Sequence, residues 1–483
     1  SSNERTSGIR KMNLLRRCKS LKRFANVPRG GQLFSSVPCV EPYELVRYPI
    51  TDVTTLSSGL RVATEKCPRN QSTATVGVWI DTGSRYESKE TNGCAHFLEH
   101  LAFKGTQKRD RDSLEIEIEN IGGHLNAYTS REQTVYYAQV HRKDTAQAVD
   151  ILADIILNSK LSSQSVDRER SVILREMEEV YKDTEEYVFD YLHDAAYLEN
   201  PLGQTILGPR ENIKKITRDD LLRYIGTHYT TDRMVIVGAG AVDHQELVKL
   251  VEEKFAALPK TPAHPFERVP AEFSGSDYRE RQDDMDLAHV ALAYETCGWT
   301  DPDTYPLLFI QAMIGSWDIK QTGGEHSSSK LVSAVAGKKL GEKVMAFNTI
   351  YHDTGLFGIY ASSYEKRLFD LMHHITQTIP NVCYEVTSDT VEEMRNQITA
   401  NLLLSLDTSA QVCEDIGRQI LTVGRRLHPT EVITRINAVD RAAVASCARR
   451  FFYDKDHALA AVGPIFELQD YQFIRRRSYS LVR

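Results

Sequence analysis

Residues 258–270 read LPKTPAHPFERVP, with prolines at 259, 262, 265 and 270. Four prolines so close together withhold backbone donors from helix and strand alike, which marks a break between folded parts. Outward from this break the same order of elements runs on both sides. Before it, 60–64 and 73–80 (TATVGVWI) are rich in β-branched and alternating apolar residues, as strands are. Helical stretches follow at 92–104 and 114–121, a strand pair at 124–128 and 134–141, and helices at 145–157, 163–197 and 219–228. The half ends on a buried strand, 234–242 (MVIVGAGAV), and an amphipathic helix, 244–257. After the break, 288–294 (AHVALAY) answers the first long strand. Helices at 305–314, 364–378 and 389–406 surround another strand at 356–361, and 457–463 (HALAAVG) with its patterned tail repeats MVIVGAG and its helix. The pattern predicts an α/β fold, an α+β sandwich of two similar domains, each a sheet covered by helices. The boundaries it suggests are a basic arm at 1–42, a first domain at 43–257, a linker at 258–275 and a second domain at 276–483.

Composition narrows the functional classes. With 41% hydrophobic and 26% charged residues the chain has the make-up of a folded globular protein. The longest apolar run, 234–242, has about half the length of a membrane-spanning helix, so no transmembrane segment is expected. Residues 1–30 hold nine Lys and Arg against Glu4, a local charge of +8, so the other 453 residues carry −15 of the whole-chain −7. An acidic body disfavours nucleic acid as a partner and favours something cationic. The first 35 residues, rich in Arg, Lys and Ser, have the composition of a mitochondrial transit peptide or of a basic arm on a mature protein. The eight cysteines include no C-x-x-C pair, which suits a reducing compartment.

The sharpest chemical feature is residues 94–103, CAHFLEHLAF. On a helix His96 and His100 project from one face, a turn apart, in a register that can bind one Zn²⁺. Glu99 borders that face, too close to His100 in sequence to be a comfortable ligand but able to reach the attacking water. This is H-x-x-E-H, the reverse of H-E-x-x-H. A catalytic zinc needs a third protein ligand. The segment 163–197 offers Glu169 and Glu176, two turns apart around the partly apolar RSVILR. A buried acid there needs a partner, and a metal is one; ordinary solvated helix acids are the other reading. Cys94 points off the metal face and reads as a small core filler, and His124, His193, His352, His373 and His374 lack partners at ligand spacing.

HFLEH, followed 76 residues after His100 by Glu176 in ERSVILREM, resembles the pitrilysin-type (inverted zincin) metallopeptidases. The phrases GSRYES, NGCAHFLEHLAFKGT, IGGHLNAYTSRE, FDYLHDAAY and DTGLFGIYASS look like those of the mitochondrial processing peptidases' β-type subunits. In plants and many unicellular eukaryotes such subunits are also core proteins of respiratory complex III. The resemblance implies that His96, His100 and Glu176 hold one Zn²⁺ per chain, that Glu99 is the general base, and that Glu169 shapes the site and orients a ligand. It matches Glu186 and Asp190 to acids that receive an arginine shortly before the cleaved bond, which two carboxylates one turn apart could grip. Phe103 matches a residue lining the pocket for the apolar side chain after the cut, or else packs in the core. Asn126, Ala127 and Tyr128 match an edge strand to which substrate adds.

The implied architecture is one half of a clam-shell around a chamber, with 43–257 the catalytic zinc-binding domain and 276–483 its non-catalytic homologue. The implied function is a zinc metalloendopeptidase that removes cationic presequences from imported mitochondrial proteins, integrated as a core subunit of complex III. The alternative is a purely structural core subunit with an idle site. Retention of all four zinc-site residues favours activity. A zinc-less α-subunit is disfavoured, because the nearest stretch to a glycine-rich loop, 321–329 (QTGGEHSSS), has two glycines. The implied partners are a homologous zinc-less α-subunit, other complex III subunits including cytochrome b, and presequence peptides, on the matrix side of the inner mitochondrial membrane.

Overall fold

A computed structural model describes residues 48–67, 72–321 and 323–479. The basic arm expected at 1–42 lies outside the described residues, and those that are described belong to one contact unit.

The chain builds two six-stranded sheets, one on each side of the proline-rich segment. The first half runs β1 (Asp52–Thr55), β2 (Arg61–Lys66), β3 (Thr73–Ile80), α1 (Cys94–Ala102), α2 (Arg111–Asn120), β4 (His124–Thr129), β5 (Thr134–His141), α3 (Thr145–Asn158), α4 (Ser163–Val180), α5 (Thr184–Ala196), the short α6 (Arg210–Ile213), α7 (Arg218–His228), β6 (Met234–Gly240) and α8 (His244–Lys254). The second runs β7 (Asp277–Arg281), β8 (Ala288–Cys297), α9 (Thr304–Ile314), β9 (Ser316–Asp318), α10 (Lys330–Lys338), β10 (Lys343–Ile350), β11 (Thr354–Ser363), α11 (Glu365–Glu385), α12 (Ser388–Leu404), α13 (Ser409–Thr422), α14 (Pro429–Asn437), α15 (Arg441–Phe451), β12 (Ala458–Gly463) and α16 (Tyr471–Arg477). No helix or strand occurs between Lys254 and Asp277.

The strand orders are β1-β2-β6-β3-β5-β4 and β7-β12-β8-β11-β10-β9. Five strands of one sheet superimpose in order and direction on five of the other. β2 and β6 pair in parallel, as do β7 and β12. The remaining matched pairs are antiparallel. Each half is thus a mixed sheet covered by helices, as the repeated pattern predicted. The two differ at their edges. The first sheet adds β1 beyond β2 and leaves β4 open, whereas the second places β9 on β10, the counterpart of β4.

The faces of the sheets explain why their strands read as near-continuous apolar runs. Seven of the eight residues of β3 are buried, because helices cover both sides. One face of the first sheet packs on helices of its own half, through Val76, Val78 and Ile236. The other face, with Ala63, Trp79, Val235 and Val237, is covered by Val412, Cys413, Ile416 and Ile420 of α13 from the second half. The exchange is reciprocal: Val188, Leu192 and Ala196 of α5 cover Ala291, Ala293 and Ala460 of the second sheet. The halves are therefore interlocked. At the α13 contact a Cβ on Gly417 would meet the Trp79 indole at 2.3 Å, so only glycine permits this approach.

One expectation is corrected. The helix predicted over 163–197 is two helices, α4 and α5. Asp183 accepts hydrogen bonds from the backbone N–H groups of Glu185 and Glu186, which starts a new helix where the first ends. Glu169 and Glu176 stand on α4, Glu186 and Asp190 on α5.

Candidate metal centre

α1 begins after Gly93, whose φ of 109° is left-handed and available to glycine at little cost. The helix presses Cys94, Phe97, Leu98 and Leu101 into the core, which turns His96 and His100 toward α4. Their ring centroids lie 4.6 Å apart. From α4, Glu176 reaches between them, with Oε2 2.8 Å from His100 Nε2 and Oε1 3.7 Å from His96 Nε2. One donor atom from each of His96, His100 and Glu176 lies within 4.8 Å of the others, and this is the one such cluster among the described residues. Glu176 has no lysine or arginine at ion-pair distance among the described residues; its partners are the two imidazoles. The carboxyl is held well below the usual carboxylate range, first by His100 and then by His96. Burial works to lower the His100 imidazole, but Glu176, with Glu99 and Glu169 behind it, raises it overall.

These residues fit a divalent metal. The donor set is two imidazole nitrogens and a carboxylate, the type that catalytic zinc sites use, and the three donor atoms converge within 4.8 Å of one another. Glu169, one helical face behind, differs. It is buried, its Oε1 meets Lys104 Nζ at 3.0 Å, and its Oε2 lies 3.5 Å from His100 Nδ1. Lys104 matches its charge, and its Oε2 lies on the far side of the His100 ring without a hydrogen bond. Glu99 is half-buried on α1, and among the described residues no hydrogen bond or ion pair ties its carboxylate down.

The other residues singled out from the sequence fall at three places. Phe103 closes α1 and packs, half-buried, against the first core. Asn126, Ala127 and Tyr128 lie on β4, the open edge strand. Tyr128 is tied by its hydroxyl to Glu414 of α13 at 2.6 Å, and Asn126 reaches the Tyr137 hydroxyl at 3.2 Å. On α5, Glu186 is exposed, while Asp190 accepts from Arg131 Nη2 at 2.6 Å. Lys104 and Arg131, which partner two of the acids, carried no periodic signal in the sequence. Cys94 is fully buried, and burial pushes its thiol up. His193 is spent on the Phe189 carbonyl and the Tyr351 hydroxyl, both at 2.6 Å.

Family comparison agrees with this picture. Residues 61–210 match the model "Insulinase (Peptidase family M16)" and residues 215–398 match "Peptidase M16 inactive domain". The chain belongs to the M16 peptidases. It is 52% identical, over 89% of its length and 82% of the relative's, to a protein named "Probable mitochondrial-processing peptidase subunit beta, mitochondrial" from Arabidopsis thaliana. Identity is also 52% to mitochondrial-processing peptidase subunit beta of Blastocladiella emersonii, covering 90% of this chain and 93% of that one. The human protein of that name is 48% identical over 89% of this chain and 88% of its own. Among solved structures, a chain of "Complex III2 from Candida albicans, Inz-5 bound" matches with a TM-score of 0.79 and 25% identity, over 88% of this chain and 99% of that chain. This M16 member is a metallopeptidase, and the half that carries the histidine–glutamate cluster is the one matched by the peptidase model rather than the inactive one.

Proposed function

We propose that this M16 metallopeptidase is a zinc endopeptidase that removes cationic presequences from proteins imported into mitochondria. The observation that carries the reading is the meeting of His96, His100 and Glu176 on α1 and α4 beside an unbonded Glu99. His96, His100 and Glu176 would hold the zinc. When bound there, zinc supplies Lewis-acid polarisation of the scissile carbonyl and a lowered pKa for the attacking water. Glu99 takes the proton from that water and returns it to the leaving amine. Glu169, fixed by Lys104, orients the His100 ring from behind. The substrate adds to β4 as an extended strand beside Asn126, Ala127 and Tyr128, since β4 is the open edge of its sheet. The Asn126 side chain that now accepts the Ala127 N–H can be displaced by a substrate carbonyl. The matching edge of the second sheet is covered by β9, which supports substrate binding in the first half alone. Phe103 lines the pocket for the apolar side chain after the cut, Glu186 faces the arginine before it, and Asp190, held by Arg131, adds its charge beside Glu186.

In this reading residues 43–257 are the catalytic domain, 258–275 the linker and 276–483 the non-catalytic domain. The chain pairs with a related zinc-less α-type subunit, and the pair is associated with complex III, including cytochrome b, on the matrix side of the inner membrane. The relatives' names and the complex III neighbour support this. The cluster of His96, His100 and Glu176 stands against a purely structural role.

The test is Glu99→Gln in the chain paired with its α-type subunit. Cleavage of an arginine-bearing presequence peptide is expected to fall by about 10²–10⁴-fold while zinc stays at one per chain. His96→Ala, His100→Ala and Glu176→Gln are expected to lose the metal as well. Wild-type cleavage by Glu99→Gln would overturn the mechanism.

A further inference from the structure

Three consecutive side chains, Arg85, Tyr86 and Glu87, leave one short segment in three directions. The buried Arg85 guanidinium donates to both carboxylate oxygens of Asp353 at 2.7 Å, to Glu132 at 2.6 Å and to the Val269 carbonyl at 2.9 Å. It joins the first half, the linker and the turn between β10 and β11. Tyr86 donates to Asp81 at 2.5 Å and accepts from Arg268 of the linker. Glu87 points the opposite way, to the start of the metal helix. Its Oε1 accepts the Ala95 N–H at 2.6 Å, and its Oε2 accepts the Gly93 N–H at 2.9 Å and the Asn92 amide at 2.7 Å.

A helix leaves its first N–H groups without partners inside the helix, and the residue before it normally supplies a side-chain oxygen. α1 has Gly93 there, with no side chain to offer. A larger residue would be strained there, because φ is 109° and a Cβ would crowd the Leu207 carbonyl at 3.1 Å and the Gly208 Cα at 3.2 Å. Glu87, six residues upstream, does the capping instead. It is buried with no cationic partner among the described residues, so the N–H groups and the positive end of the helix are what balance it. Burial pushes its carboxyl up, and the bonds from Ala95, Asn92 and Gly93 pull it back down.

We propose that Glu87 is a positioning residue for the metal site: it seats the first turn of α1 on a segment that Arg85 fixes to the second half, and so sets where His96, Glu99 and His100 project. The proposal rests on the zinc-peptidase reading above. Glu87→Gln turns one acceptor into a donor facing other donors, without touching a ligand or the substrate.

The experiment compares wild type and Glu87→Gln, as the full chain in whichever assembly gives wild-type cleavage. If wild type neither holds zinc nor cleaves a presequence peptide, the functional reading falls, and with it this proposal. If wild type does both, Glu87 alone is under test. Expected for Glu87→Gln is about tenfold weaker zinc by chelator competition. A kcat lowered about tenfold, with KM within about twofold of wild type, should accompany it, because α1 carries the chemistry and not the substrate edge. Amide exchange should quicken in Cys94–Ala102 and stay unchanged in His244–Lys254. Unchanged zinc affinity and kcat would overturn the proposal. Equal quickening in both helices would do so too, since Glu87 would then be a general stabiliser.

Discussion

Arg131 donates to Asp190 at 2.6 Å, so one of the two acids matched to a substrate arginine already holds an arginine of this chain. The pair ties the loop after β4 to the middle of α5. The Arg131 side chain is 9% exposed and that of Asp190 39%. Glu186, one turn earlier on α5, is exposed, and among the described residues its carboxylate has no hydrogen bond or ion pair. The two acids are therefore not equivalent.

Glu186→Gln is expected to raise KM for an arginine-bearing presequence peptide by about tenfold, the loss of one charge-assisted bond. A peptide with alanine at that arginine should be little affected, and the melting temperature should not move. Asp190→Asn should instead leave a buried guanidinium without its counter-charge, lowering stability by about 1–3 kcal/mol. Kinetics on the two peptides and thermal unfolding of both variants check this. Equal KM changes for Glu186→Gln on both peptides would assign that acid to the helix surface.

Acid sensitivity is a second expectation. His457 is fully buried, both its ring nitrogens lack hydrogen-bond partners, and it stacks on Tyr471 at 4.2 Å. Burial pushes its pKa down to about 4, with Asp277, Arg475, Asp456 and Arg279 as the charges around it. The folded value lies below the unfolded one of about 6.5. Between the two, the unfolded chain holds a proton that the native chain does not, so stability rises with pH. It is complete above about 6.5 and lost toward 4, at up to about 1.4 kcal/mol per pH unit. His228, pushed down to about 3, and His193 act in the same direction. His457→Phe should keep the stack and flatten the slope by about one proton. Urea unfolding at several values between pH 4.5 and 6.5 measures it, and parallel slopes for the two proteins would show His457 does not titrate in this window.

What could be read from the sequence depended on whether the information was local. His96 and His100 were legible because four-residue spacing on a helix fixes a shared face, and β3 because both its sides are buried. The repeat survived as strand order even where residues diverged. The break between α4 and α5 was missed because Asp183 acts as a cap through a hydrogen bond that helical periodicity does not register. α13 was missed altogether. Its stripe of Val412, Cys413, Ile416 and Ile420 shows that a helix has a buried face, not that the face lies on the other half's sheet. The partners of Glu169 and Asp190 were likewise invisible. Lys104 and Arg131 stand 65 and 59 residues from the acids they hold, and only the assembled fold brings them together.

Glu169 provides the last expectation, because its two oxygens separate a ligand from a brace. Oε1 is committed to Lys104 at 3.0 Å, and Oε2 lies 3.5 Å from His100 Nδ1, the ring nitrogen opposite the one that faces Glu176. Such a carboxylate fixes the ring's orientation and raises the basicity of its other nitrogen. Glu169→Gln keeps the shape and removes the charge, so zinc should bind about 10–100-fold more weakly and still reach one per chain at saturation. Glu176→Gln should fail to reach that stoichiometry at any accessible concentration. Lys104→Ala should reproduce the Glu169→Gln effect at smaller amplitude, since it frees the carboxylate to turn away. Chelator competition on the three variants decides among these roles. Full loss of zinc in Glu169→Gln would make Glu169 a ligand, and unchanged affinity would leave it a structural acid of α4.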